Sequence, residues 1–496
     1  MDLWQNLALG FSVSLTPENL LVALVGTALG TAVGVLPGLG PTATISLLLP
    51  ISVAIDHVSA VILLAGIYYG AMYGGSITSI LVRIPGEAAS VITCIDGYAM
   101  ARRGRAGAAL GIAAFGSFIA GVVATVGVAL VGPQLATYAL AFGPAERAAL
   151  VLFGLVLVAN VGDGSRRRAY AMLAAGLLLS TVGIDLVSGV ERFTFGVPYL
   201  RDGFGIAVMA MGLFGISEVL MLAASPDVDM RPAAYGKRLA DLLPDRRDWK
   251  ESAGPIGRGT AIGFFLGLLP GGGALISSFA SYVVEKRLSR HPEQFGKGAI
   301  AGVAGPESAN NAAAQSSFVP LLCLGIPANA VIGVIMGALL MHGVTPGPRL
   351  IVDQPAVFWG VVTSMLIGNL MLIVLNVPLV GAFVALLRVP QGIMSPLIVL
   401  FCGVGAYSLN NSVADVYAMV GFGFLGYGLR RAGFDPAPLL LAFVLGTLLE
   451  QNLRQALLIG YGSPVIFLEK PIAATFIAMT VTAAVLPLLR GRMVRA

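Results

Sequence analysis

The sequence has little charge. Only 11% of its 496 residues are Asp, Glu, Lys or Arg, whereas soluble domains average about 25%. Hydrophobic residues make up 57% of the chain, and they stand in runs long enough to enter a bilayer. This composition argues against a soluble protein and predicts an all-α polytopic integral membrane protein. The length has room for about 10 to 12 membrane segments of roughly 20 residues each, some of them incomplete.

Cysteine and histidine are scarce as well. Cys94, Cys323 and Cys402 lie in apolar sequence without a C-x-x-C spacing, and the three histidines form no H-E-x-x-H pattern. The glycine-rich stretches do not match the G-x-x-x-x-G-K-[ST] phosphate loop, which argues against an internal ATP motor. A net charge of +5 is typical of membrane proteins with basic cytoplasmic loops. We therefore expect no enzyme, no cofactor and no nucleic-acid partner.

Residues 1–17 are predicted to form a helix at the membrane interface. Trp4, Leu7 and Phe11 fall on one helical face, as in an interfacial helix. A helix packed on the protein's own side or on a partner subunit is the alternative. The segment lacks the basic n-region of a cleavable signal, so we expect no processing.

The rest of the chain divides into two membrane repeats, 18–222 and 257–496, joined by a polar linker at 223–256. The linker is rich in Lys and Arg, which predicts a cytoplasmic location. The other basic clusters share that side only if regions such as 20–55 and 74–100 are re-entrant hairpins rather than spanning ones. The N-terminus is then periplasmic, the C-terminus is cytoplasmic, and the two repeats have inverted topology.

Two similar stretches should break a helix at membrane depth, Leu36–Gly40 in the first repeat and Leu269–Gly273 in the second. Paired breaks of this kind point to a midplane binding site. Half-helix N-termini suit an anion, and freed carbonyls suit a sodium ion. The residues predicted to bind substrate or ion here are Pro37, Gly38, Gly40, Thr42, Pro270, Gly271, Gly272 and Gly273.

A second predicted interruption in each repeat carries polar residues. Gly74–Ser79 leads to Ile84–Glu87, and Glu307–Ser317 leads to Gly325–Asn329. Such clusters persist in hydrocarbon only against protein or a wet cavity, although small polar residues also hold membrane helices together. The candidate binding residues here are Ser76, Thr78, Ser79, Gly86, Glu87, Asn310, Asn311, Gln315, Pro327 and Asn329.

Two acidic residues lie in these regions, Glu87 and Glu307. An intramembrane carboxylate is a functional candidate by default, and proton coupling is one such role. For Glu87, capping of its own helix after Pro-Gly is the alternative. Arg83 would snorkel, pair with Glu87 or contact a carboxylate substrate.

Five stretches carry a resemblance to a known family: Gly34–Thr44, Gly66–Ser76, Ile84–Ser90, Asp96–Tyr98 and Gly305–Ala312. They resemble the large membrane subunit of bacterial tripartite tricarboxylate transporters, the TctA family, and the resemblance covers nearly the whole chain. It implies a permease that works with a small TctB-like membrane subunit and a TctC-like periplasmic binding protein. It also implies sodium- or proton-driven uptake of tricarboxylates, dicarboxylates or related organic anions.

The expected function is therefore the permease subunit of a secondary transporter in the bacterial inner membrane. Alternating access by an elevator-like motion is preferred over rocking. A membrane-embedded enzyme or a channel without a binding protein is the alternative, but an enzyme should show a catalytic pair and a channel a continuous polar path. Arg83 and Ala328-Asn329 depart from the family pattern, which leaves the particular carboxylate open.

Overall fold

The computed structural model describes residues 2–36, 40–161, 165–185, 187–224, 232–236, 238–271, 273–389 and 391–493. The first half contains α1 (Leu3–Ser14), α2 (Pro17–Val35), α3 (Pro41–Val53), α4 (His57–Val82), α5 (Thr93–Arg102), α6 (Ala106–Ala139), α7 (Pro144–Val161), α8 (Arg166–Leu179), α9 (Ile206–Ala210) and α10 (Ser217–Ala223). A 3₁₀ turn covers Ala88–Val91, and a π-helical turn at Met211–Ile216 joins α9 to α10. Between α8 and α9 lie two short antiparallel strands, β1 (Gly183–Ile184) and β2 (Glu191–Arg192), and a 3₁₀ turn at Pro198–Asp202.

The linker contains α11 (Leu239–Leu242) and leads into the second half. Its helices are α12 (Arg246–Gly267), α13 (Ala274–Leu288), α14 (Ala301–Ser316), α15 (Ala330–Met341), α16 (Leu350–Asp353), α17 (Pro355–Asn376), α18 (Val380–Leu386), α19 (Gln391–Asn410), α20 (Val413–Arg431), α21 (Ala437–Ile459), α22 (Ile466–Glu469) and α23 (Pro471–Met493). A 3₁₀ turn covers Pro292–Gln294 and a π-helical turn covers Pro320–Leu324.

Several helices have membrane character. Among the described residues, six are long and apolar enough to cross a bilayer: Pro17–Val35, His57–Val82, Ala106–Ala139, Ile206–Ala223, Pro355–Asn376 and Gly392–Asn410. Three shorter apolar helices cover Pro41–Val53, Ala330–Met341 and Pro471–Val485. The prediction of an all-α polytopic membrane protein is confirmed.

The two halves repeat one helix pairing. In the first half α2 packs along α4, and in the second α12 packs along α14. Small residues make both approaches possible, because a Cβ at Gly26 would lie 2.6 Å from the Leu63 carbonyl oxygen and one at Gly263 would collide with the Ala309 carbonyl. The sequence Gly-Thr-Ala-x-Gly-x-x-x-Gly-x-Leu-Pro-Gly begins at Gly26 in one half and at Gly259 in the other.

The helix breaks correspond as well. Arg83 and Gly325 both adopt the left-handed conformation, with φ of 62° and 70°. Each is followed by Ile-Pro and then by the polar residue that caps the next helical segment, Glu87 in the first half and Asn329 in the second. Pro85 and Pro327 thus occupy equivalent positions in the two repeats.

The polar residues that were predicted to interrupt the helices lie inside them. Helix α4 runs without a break through Gly74–Ser79 to Val82, and α14 runs through Glu307 to Ser316. Small hydroxyl residues fit there because they donate to carbonyl oxygens of the preceding turn, as Ser79 does to Gly75 at 2.9 Å. The second interruption therefore begins later in each repeat, at Arg83 and at Gly325.

The two hairpins return to opposite ends of the molecule. The start of α2 and the end of α3 lie together, since Asn19 accepts from Ser59 at 2.6 Å and Ser52 O lies 3.0 Å from the His342 ring nitrogen. We call this the N-terminal end. The α12–α13 hairpin starts and finishes at the end that carries the linker, where Arg105 pairs with Asp248. We call this the linker end, and the two hairpins are thus inverted relative to each other.

Helix α1 packs along α17 within the same chain. The Thr363 hydroxyl donates to Ser14 Oγ at 2.9 Å, and Gly10 faces the Trp359 carbonyl. Trp4 remains 77% exposed. The helix therefore packs on the protein's own side, and its placement in a membrane interface stays a prediction.

Candidate functional site

The broken segment of each repeat forms hydrogen bonds with a helix of the other repeat. Asn310 on α14 donates to Glu87 at 3.1 Å, and Asn329 donates to the Tyr68 hydroxyl on α4 at 3.0 Å. Tyr68 and Asn310 occupy equivalent positions in the repeated helices, and so do Glu87 and Asn329. Each half therefore completes the break of the other, around a common pseudo-twofold centre.

Two of the four helix starts at this centre are capped by their own side chains. Glu87 accepts from the Ala89 amide at 2.6 Å, and Asn329 accepts from the Ile332 amide at 3.0 Å. The capping role weighed for Glu87 is thus present in the structure. Side-chain caps already occupy these two starts, so they offer fewer free amides to an anion.

The starts of α3 and α13 have no side-chain cap. Their N-cap residues are Gly40 and Gly273, and a Cβ at either would meet no atom within 4 Å. Intrahelical bonding begins only with the amides of Thr44 and Ser277. The amides before them, including that of Thr42, have no acceptor among the described residues, as at the positive end of a helix, which suits a carboxylate.

These starts adjoin one segment of the second break. The Gly271 amide donates to the Ala328 carbonyl at 2.8 Å, which ties the tip of the second hairpin to the residues before α15. Helix α3 packs on α15, while α13 packs on the 3₁₀ turn after the first break. This contact brings Pro270 and Gly273 near Pro327 and Asn329, and α3, which begins beside Thr42, packs on α15. That these residues form a shared site stays a prediction, and Pro37, Gly38 and Gly272 lie outside the described residues.

A buried polar cluster adjoins this region. Ser76 donates to Glu307 at 2.5 Å, and Thr93 donates to the other oxygen of the same carboxylate. Asn311 donates to Ser117 at 2.6 Å. Five side chains in and beside α14 keep buried polar atoms that have no partner in the part of the chain that the structure describes: Ser281, Ser308, Asn310, Asn311 and Gln315. Such a concentration is unusual in a folded protein and is expected where a ligand or water binds.

Other predicted residues make contacts within the protein, and their role in binding stays a prediction. Thr78 and Ser79 donate to the Gly75 carbonyl of their own helix. Gly86 lies directly against the Gly34 carbonyl, where a Cβ would not fit. Arg83 is exposed and lies 5.9 Å over the Tyr98 ring, instead of forming an ion pair with Glu87.

Sequence reasoning missed Thr93, Ser117 and Tyr68. A single hydroxyl in an apolar run, as at Thr93 or Ser117, gives no signal until the helix that faces it is known. Tyr68 lies in the stretch Gly66–Ser76 that carries the family resemblance, and its equivalence to Asn310 would have been the signal.

Two cavities open near the N-terminal end. One, of about 440 Å³, reaches the second break at Gly325 and Ile326 and contains Arg147 and Arg349; the other, of about 460 Å³, shares Gln451 with it. The second cavity contains a network in which Arg454 pairs with Asp185 at 2.7 Å and Arg192 pairs with Glu450 at 2.7 Å. The first of these cavities borders the broken segment, and the second adjoins the first.

The described residues contain no group of three or more His, Cys, Asp or Glu side chains that could hold a metal ion. A family model described as "Tripartite tricarboxylate transporter TctA family" matches residues 20–441. The chain belongs to the TctA family. A TctA protein is the permease component of a transporter rather than an enzyme.

Two relatives from Agrobacterium vitis are similar to this TctA protein. "Uncharacterized 52.8 kDa protein in TAR-I ttuC' 3'region" is 52% identical over 489 residues, which cover 99% of this chain and 97% of the relative. "Uncharacterized protein in TAR-II ttuC' 3'region" is 55% identical over 227 residues, which cover 46% of this chain and 94% of the relative. No solved structure matches the chain significantly.

Proposed function

We propose that this TctA protein imports carboxylates across the bacterial inner membrane by ion-gradient-driven secondary transport. The observation that carries the proposal is the pair of uncapped helix starts at Gly40 and Gly273, which come from inverted halves and adjoin the broken segments of one centre. Two positive helix ends match the two or three carboxylates of a dicarboxylate or tricarboxylate. Asn310 and Asn311, with unpartnered amide oxygens, bind either substrate hydroxyls or a coupling ion.

The permease works with two partners, a TctB-like small membrane subunit and a TctC-like periplasmic substrate-binding protein. The N-terminal end faces the periplasm, because the basic ends of α5 and α13 and the linker lie at the opposite end. The arginine-containing cavities then receive the anion from the binding protein. Sodium or a proton drives accumulation.

Reconstitution tests this function directly. Proteoliposomes that contain the permease, the small subunit and a loaded binding protein are expected to accumulate labelled tricarboxylate or dicarboxylate when a sodium or pH gradient is imposed. Vesicles without the binding protein, and vesicles without a gradient, are the controls. Failure of every di- and tricarboxylate to accumulate under either gradient would contradict the proposal. Uptake that needs neither gradient nor binding protein would favour a channel instead.

A further inference from the structure

Two carboxylates are buried beside the proposed substrate site. Glu87 and Glu307 are 8% and 1% exposed. Among the described residues, neither forms an ion pair with a Lys, Arg or His side chain. Two uncompensated negative charges inside a membrane protein would cost several kcal/mol, so one of them must be neutralised by a bound cation or a proton.

The hydrogen-bond donors of the two carboxylates differ in kind. Glu87 is bonded by the Ala89 amide and by the Asn310 amide nitrogen, which only donate and therefore favour an ionised carboxylate. Glu307 is bonded by two hydroxyls, which donate or accept. Ser76 Oγ also lies 3.2 Å from the Met72 carbonyl. When Glu307 is protonated, Ser76 turns its hydrogen to that carbonyl and accepts from the carboxyl, so both states of Glu307 keep their hydrogen bonds.

We infer that Glu307 carries the coupling proton of the transport cycle. The inference rests on the proposed function and names the ion that it left open. On the outer side an O–H bond of hydronium breaks and the O–H bond of the Glu307 carboxyl forms, which leaves water. The neutral carboxyl crosses together with the bound carboxylate substrate, and on the inner side its O–H bond breaks as water takes the proton to form hydronium. No other bond forms or breaks.

A small cavity lies beside the Ser76 hydroxyl that bonds Glu307. It has a volume of about 10 Å³ and is lined by Ser76, Tyr73, Ser117 and Asn376 together with apolar side chains. This volume suits one water molecule. The Asn376 side-chain oxygen is buried without a partner, and so is that of Asn310 beside Glu87. A water there would reach both Asn376 and Ser76, and the cavity is too small for a hydrated sodium ion.

Two further acidic residues around α14, Asp96 and Glu285, have partners of their own. The titratable and charged side chains on the elements packed against α14 include Tyr68, Tyr69, Tyr73, Glu87, Cys94, Asp96, Arg258, Tyr282 and Glu285. Asp96 accepts from Tyr282 and from three backbone amides. Glu285 pairs with Arg258 at 2.6 Å. Glu87 is therefore the acid that titrates together with Glu307.

Glu307→Gln tests the inference, because it keeps the shape of the protonated state and cannot release a proton. In proteoliposomes it is expected to abolish accumulation driven by a pH gradient, while exchange of carboxylate across the membrane at equal pH persists. Glu251→Gln, on the exposed linker face, should accumulate substrate as wild type does. Normal pH-driven accumulation by Glu307→Gln would overturn the inference, and so would wild-type accumulation on a sodium gradient without proton uptake. In either case carboxylate transport by the wild type leaves the proposed function standing.

A second measurement needs no transport. Infrared difference spectra of the purified wild-type protein between neutral and alkaline pH should show the carbonyl band of a buried carboxylic acid disappear. The band should be missing from Glu307→Gln and present in Glu251→Gln. A wild-type spectrum without the band, or an unchanged band in Glu307→Gln, would overturn the assignment.

Discussion

The Asn311 side-chain amide has a bonded nitrogen and an oxygen without a partner among the described residues. Its nitrogen donates to Ser117 and to the Glu307 carbonyl, whereas its oxygen is buried without a partner. A buried polar atom without a hydrogen bond costs about 1–3 kcal/mol of folding free energy. Such an atom is expected where a ligand forms the missing hydrogen bond during function. Asn311→Ala should lower carboxylate uptake by about 10-fold or more, with normal amounts of protein in the membrane. Asn452→Ala is the control, because its amide bonds only its own helix, at Leu448. If Asn311→Ala transported carboxylate with wild-type kinetics, Asn311 would contribute only to helix packing.

Asp185 lies in the loop between α8 and α9, outside the membrane-spanning segments. Hydrogen bonds from the amides of Ser188 and Val187, together with the Arg454 guanidinium, lower the pKa of its carboxyl below the ordinary value of about 3.9. A lowered pKa in the folded state stabilises the fold above pH of about 4, and this contribution is lost as pH falls through the folded-state pKa. Asp185→Asn should therefore unfold at a lower temperature than wild type at neutral pH. The difference should shrink in acid; a constant difference in thermal unfolding scans would contradict this reasoning.

Helix α12 shows how glycine position decides the fit between elements. Gly263 lies against the Ala309 carbonyl of α14, whereas a Cβ at Gly257 of the same helix would meet no atom within 4 Å. Gly263→Ala should destabilise the protein by about 1–3 kcal/mol. Gly257→Ala should be neutral or stabilise it by about 0.5–1 kcal/mol, because alanine favours a helix over glycine. Thermal unfolding in detergent shows whether each variant is more or less stable than wild type. Equal changes in the two variants would show that the contact between α12 and α14 is looser than described.

The sequence was informative about where elements break and less so about where they continue. Pro-Gly in hydrocarbon is conspicuous, so the chain reversals after Leu36 and Leu269 could be predicted from local chemistry. The polar run at Gly74–Ser79 looked like a break as well, but its hydroxyls bond the helix itself and its glycines admit a neighbouring helix. Which partner a polar residue meets depends on packing between repeats, so the pairing of Asn310 with Glu87 could not be predicted from either stretch alone.

The orientation of the whole molecule is a prediction that labelling can test. In a variant with its three cysteines replaced, a cysteine at Ser188 in the loop between α8 and α9 should react with an impermeant thiol reagent applied to intact cells from the periplasmic side. A cysteine at Ala240 in the linker should react only after the membrane is permeabilised. Both positions are exposed. Reaction of the Ala240 cysteine from outside would contradict the inverted topology.

An elevator motion requires the hairpins to slide against a fixed group of helices. Helices α7, α8, α21 and α23 pack on one another, and α7 touches the second hairpin tip. A Cβ at Gly154 would lie 3.5 Å from the Pro270 Cβ, within the range of about 3.5–4.5 Å for a disulfide. In the cysteine-free background, Gly154→Cys with Pro270→Cys should lose transport on oxidation and regain it on reduction, relative to each single variant. Full transport with the disulfide formed would require a fixed site with moving gates instead.

The hydrogen bonds between the two repeats also have a consequence for biogenesis. Glu87 finds its partner Asn310 only after 223 more residues have been made. At a synthesis rate of about 5–20 residues per second, that is roughly 10 to 45 s during which a broken, acidic segment lacks its partner from the second half. The first half therefore remains incompletely assembled in the membrane until α14 has been synthesised. A ribosome that stalls within the linker would release a product whose buried acidic residue lacks its partner, and such a product should be a target for degradation.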